Sequence, residues 1–113
     1  MLNSKQRATL RGMANSLEPI FQVGKGGIND QLIRQIDETL EKRELIKLTT
    51  LENTPETSKE AADIIASKTG ADVVQVIGRK IVLFRKSKEK SKDPKTNPKI
   101  SDLIGKIGKN KNR

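Results

Sequence analysis

Pro19-Ile20-Phe21-Gln22-Val23-Gly24-Lys25-Gly26-Gly27-Ile28 is the stretch on which the reading of this chain turns. Pro19 forbids helical continuation at Glu18, so the apolar run from Ile20 to Val23 reads as a short strand. That strand delivers the chain into a loop with glycine at both ends. Glycine lets the backbone bend through positive φ and approach a ligand with no Cβ in the way. Beyond the loop, Ile28, Leu32, Ile33, Ile36 and Leu40 recur at helical spacing. They predict a helix from about Ile28 to Lys42, with Asn29 or Asp30 satisfying its first-turn donors. A helix start offers unpaired N–H groups and a partial positive charge, and Lys25 adds a mobile cation inside the loop. Such a corner suits a phosphate. The plainer reading is a tight strand-to-helix connection that Gly serves without any ligand.

Working outward, Ser4 is placed to cap a helix running to about Asn15. Its apolar residues Leu10, Met13, Ala14 and Leu17 form one stripe, and its basic residues Lys5, Arg7 and Arg11 fall mostly off it. On the other side, Leu45 to Leu51 is rich in β-branched and aliphatic residues and reads as a strand. Thr57-Ser58-Lys59-Glu60 is a capping-box sequence opening a third helix with apolar Ala61, Ala62, Ile64, Ile65 and Ala66, which Gly70 should stop. Val73 to Ile77 and Ile81 to Phe84 then flank Gly78-Arg79 as a hairpin with a glycine-first two-residue turn. The expected order is α-β-α-β-α-β-β. A strand joined to the next through a helix usually returns parallel, so the fold class is α/β, with a four-stranded mixed sheet and helices on at least one face.

Charge is unevenly placed along the 113 residues. Residues 1–85 hold 13 Lys/Arg against 11 Asp/Glu, net +2, whereas 86–113 hold 10 against 3, net +7. The chain therefore divides into one small domain over residues 1–85 and a basic tail over 86–113, whose Lys86 to Lys95 stretch has nothing apolar to bury and should be largely disordered. Ile100, Leu103, Ile104 and Ile107 could form a short amphipathic turn, but one needing a partner to fold. A total of +9 makes a polyanion the natural ligand, with RNA the leading candidate.

Several function classes fall away. With no Cys and no His, thiolate nucleophiles, Ser-His-Asp and Cys-His machinery and nearly every structural zinc site are excluded. No GxxxxGK[ST] loop and no compact carboxylate set is present, so we expect no enzyme, cofactor, metal or small-molecule substrate. Without an apolar signal region or a run approaching the ~18 residues of a membrane span, the expectation is a cytoplasmic monomer that avoids membranes. The aromatic residues are Phe21 and Phe84 alone, both in apolar runs, so a platform of stacked rings is disfavoured. Affinity must then come from phosphates and RNA shape, with Arg79, Lys80 and Arg85 as further candidate contacts. Two alternatives stand beside RNA: a DNA-binding, nucleoid-type protein, and an adaptor that binds proteins through the acidic helix face.

Five stretches, in this order and at these spacings, resemble the CRM domain, the chloroplast RNA splicing and ribosome maturation module, in its single-domain bacterial YhbY-like form. They are Lys5-Gln6-Arg7 with Leu10-Arg11, Pro19-Ile20, Gly24-Lys25-Gly26-Gly27-Ile28, Glu44-Leu45-Ile46-Lys47, and Thr69-Gly70-Ala71 leading to Val74-Gln75-Val76-Ile77-Gly78. The resemblance runs from about Ser4 to Arg85. It implies a fold similar to the C-terminal domain of bacterial initiation factor three, RNA binding, and association with ribosomal RNA in precursors of the large (50S) ribosomal subunit. The family's functional GxxG loop carries over onto Gly24, Lys25, Gly26 and Gly27, and its basic first helix onto Lys5, Arg7 and Arg11. The tail lies outside the family pattern.

Overall fold

The computed structural model describes residues 2–88 and 100–105. Their elements run α1 (Ser4–Ala14), β1 (Phe21–Val23), α2 (Asp30–Arg43), β2 (Leu45–Thr50), α3 (Ser58–Thr69), β3 (Asp72–Ile77), β4 (Lys80–Phe84) and α4 (Ile100–Ile104). The α-β-α-β-α-β-β order is as expected, with one short helix added. The cap of α1 falls one residue earlier than Ser4: the Asn3 side chain accepts from the Gln6 backbone N–H, and the Gln6 side chain accepts from that of Asn3. Asn is at least as good a cap as Ser, and the residue three positions on completes a reciprocal box that Ser4 could not make with Arg7. Thr57 and Glu60 form the same box at α3, and Gly70 closes that helix at φ 76°.

Strand order in the sheet is β1-β2-β4-β3, with β1 parallel to β2 and the other two pairs antiparallel. Alternation along β2 and β4 sends their side chains to two cores, so helices cover both faces rather than one. Ile46, Leu48, Ile81 and Leu83 join Ile36 and Leu40 of α2 and Ala61, Ala62 and Ile65 of α3 on one face. Leu45, Val82 and Phe84 meet Leu10 and Ala14 of α1 on the other. Each fully buried aliphatic side chain is worth about 1.5–3 kcal/mol, and the two cores share the same strands, which binds the layers into one unit. A register shift between Val73 and Gln75 makes β3 depart from strict alternation: Val73 and Val76 pack on the α2/α3 face and Val74 on the α1 face.

The stretch expected to be disordered from Lys86 onward is amended at two places. The Ser87 and Ser101 backbone N–H groups both donate to the Glu44 carboxylate, at 2.6 and 2.8 Å, and the Ser101 hydroxyl adds a third bond of 2.6 Å. Ile104 is buried among Leu10, Val74 and Phe84, while Leu103 points outward. The partner this amphipathic turn needs is thus the domain itself. Ile107 and residues 89–99 lie outside the described residues.

Candidate nucleic-acid interface

Gly24, Lys25, Gly26 and Gly27 form a tight turn between β1 and α2, closed by a 2.8 Å bond from the Gly27 N–H to the Gly24 carbonyl. This bond uses the last amide of the loop. The two central N–H groups, of Lys25 and Gly26, have no partner among the described residues. Both residues are exposed. Three residues on, Asn29 caps α2 by accepting from the Leu32 N–H at 2.8 Å, so the positive end of a 14-residue helix stands behind the turn.

Only one of the three glycines has the positive φ expected of such a loop: Gly27, at 67°. A Cβ there would also press to 3.3 Å from the Glu56 carboxylate. At Gly24 a Cβ would meet the Leu51 Cδ1 at 3.4 Å, ordinary to tight contact. At Gly26 φ is not positive and a Cβ would meet nothing within 4 Å. Nothing among the described residues accounts for the glycine at 26.

The segment after β2 buttresses the turn. The Leu51 N–H donates to the Val23 carbonyl at 2.8 Å, the Thr54 hydroxyl donates to the same carbonyl, and Glu56 lies against Gly27 with one carboxylate oxygen buried and without a partner among the described residues. Thr54 and Glu56 escape a reading of the sequence because their role is set by the parallel pairing of β1 and β2, which no local pattern reveals. On the other flank, a shallow groove of about 280 Å³ runs beside the turn, lined by Gln22, Gly26, Asn29, Gln31, Leu32 and Gln35 among others. The three glutamines are likewise missed: an exposed Gln carries no signal in one sequence.

The strand register sorts the predicted basic residues between the two ends of the sheet. Val23 pairs with Thr50, whose N–H donates to the Arg79 carbonyl at 2.8 Å. The glycine turn, Arg79 and Lys80 therefore share one end, and Arg79 and Lys80 are exposed there. Gly78 alone in the hairpin has positive φ, 57°, as a glycine-first turn requires. The first helix reaches the other end of the sheet. Its Gln6 amide donates to the Ile104 carbonyl and its Arg7 guanidinium to that of Val73, at the opposite end of the sheet, where β3 begins. Arg7 is half-buried and Lys5 exposed near that far end. Arg11, one turn further along α1, is half-buried. Arg85 is placed elsewhere again, with its guanidinium directed inward: it donates to Asp37 Oδ1, to the Asp37 carbonyl at 2.9 Å and to the Thr69 carbonyl at 2.8 Å.

Fold and corner together define a small α/β domain that presents a strand–glycine turn–helix junction with outward amides and a lysine. The match to known families agrees. The chain belongs to the CRS1 / YhbY (CRM) domain family, whose model matches residues 2–85. It is 49% identical over 89 residues to "Probable RNA-binding protein YqeI" of Bacillus subtilis, covering 79% of this chain and 93% of that protein. It is 34% identical over 88 residues to a protein of Haemophilus influenzae named "RNA-binding protein", covering 78% and 89% of the two. Among solved structures, a hypothetical protein from Staphylococcus aureus, studied in solution, superposes with a TM-score of 0.68 at 50% identity, covering 80% of this chain and 95% of that one.

Proposed function

We propose that this chain is a non-enzymatic RNA-binding protein that docks on ribosomal RNA during assembly of the large ribosomal subunit. The observation that carries the reading is position 26: an exposed glycine that neither backbone conformation nor internal packing requires. An external polymer backbone lying against the turn supplies the missing reason, because a methyl group there would hold it off. The Lys25 and Gly26 amides and the Lys25 ammonium hold successive phosphates, as GxxG loops clamp nucleotide backbones. Arg79 and Lys80 extend the contact at the same end of the sheet, and Lys5 and Arg11 of α1 offer further cations to a long RNA. Relatives named as RNA-binding proteins support the choice of polymer.

The test is competition binding of structured ribosomal RNA against duplex DNA at matched salt. RNA is expected to bind tighter, and affinity to fall steeply as salt rises. Equal affinities would remove the RNA assignment. Sucrose-gradient sedimentation with large-subunit precursors, lost in Lys25→Glu, addresses the ribosomal part of the reading.

A further inference from the structure

The groove beside the turn differs in chemistry from the turn itself. Among the described residues, no ionisable group lines it. Its polar wall is built from amides, with Gln31 and Gln35 one turn apart on α2 and Gln22 reaching in from the edge strand β1. None of these three side chains makes a hydrogen bond among the described residues. Asn29, which also lines the groove, is engaged in capping α2. Gly24, Gly26 and Gly27 give the lining a stretch of bare backbone, and Leu32 adds a half-buried apolar surface. At about 280 Å³ the groove falls just below the range of drug-sized ligand sites, so it suits a single ring system rather than a whole cofactor.

From this we infer that the groove holds one unpaired base of the RNA strand whose phosphates lie on the glycine turn, and that Gln22, Gln31 and Gln35 read its edge. The inference rests on the RNA-binding reading above. A phosphate would want a cation in the groove, and none lines it among the described residues. A planar heteroaromatic ring wants what is present: a side-chain-free wall to lie against, an apolar contact, and neutral groups that each offer two donors and an acceptor. The turn grips any sequence, whereas the groove would favour one base at the position it holds.

The full chain should be used to select from a randomised single-stranded RNA library, beside Lys25→Ala and the triple variant Gln22→Ala/Gln31→Ala/Gln35→Ala, with thermal melts to show that all three are folded. Wild type is expected to enrich one base at one position, with about tenfold discrimination against the others. The triple variant should lose that enrichment while keeping its salt slope. Lys25→Ala should weaken every sequence alike and keep the enrichment. An abasic nucleotide at the selected position should cost wild type about the same tenfold and cost the triple variant nothing. Tight binding by wild type with no base preference, or a preference that survives in the triple variant, overturns the base subsite and leaves the RNA reading intact. Failure of wild type to bind any RNA overturns both.

Discussion

At the end of the sheet where β2 begins, Glu44 is 1% exposed and its carboxylate accepts three hydrogen bonds, while Arg85 reaches Asp37, Thr69 and, at 3.7 Å, Glu41. At the end where β2 finishes, two loop N–H groups and three glutamine amides have no partner among the described residues. Buried polar groups left unpaired destabilise a fold, but exposed ones merely wait on water. The contrast separates two uses of polarity: saturated groups that fasten elements to one another, and unsaturated groups displayed at a surface. Similar residue types serve both, and their surroundings decide which.

Breaking the saturated end should have the largest effect. Glu44→Ala strands the Ser87 and Ser101 N–H groups, and we expect a loss of about 3 kcal/mol in urea denaturation, with faster proteolysis of the C-terminal segment. An unchanged midpoint would mean that water replaces the carboxylate. Because Glu44 itself has φ 66°, Glu44→Gly should lose about 1 kcal/mol less than the alanine variant. Attacking the open end should leave stability alone and strike binding: Lys25→Glu is expected to weaken RNA about 10- to 100-fold and lower the salt slope by about 1, with melting unmoved. Gly27 and Gly26 sharpen the division within four residues of chain. Gly27→Ala should cost about 1–2 kcal/mol of stability, since its φ is positive, whereas Gly26→Ala should leave the melt unchanged and reduce RNA affinity. The smallest effect belongs to a third glycine. Gly12 sits exposed inside α1 with open space around it, so Gly12→Ala should stabilise the fold by about 0.5–1 kcal/mol.

Much of this architecture is written locally. The stripe from Ile28 to Leu40, the Thr57–Glu60 box, the Gly70 stop and the Gly78 turn each depend on neighbours in sequence, and each element appears where its pattern predicts. The glycine turn is legible for the same reason. What escapes is set by pairing between distant strands. The register of β1 on β2 brings Thr54 and Glu56 to the turn, and that of β2 on β4 carries Arg79 there. Arg7 and Arg85 look like ordinary surface cations in one dimension, and only the folded chain turns their guanidinium groups onto backbone carbonyls. Glu44 reads as part of a charged helix end, and its burial follows from Ser87 and Ser101, the latter 57 residues away.

The return of α4 also bears on how the domain can be cut. Ile100 and Ile104 lie over the apolar cluster of Leu10, Val74 and Phe84. A fragment ending at Arg85 would bare that greasy patch to water and would tend to self-associate as its concentration rises. The C-terminal segment therefore works as a stopper for a sticky surface as well as a reservoir of positive charge.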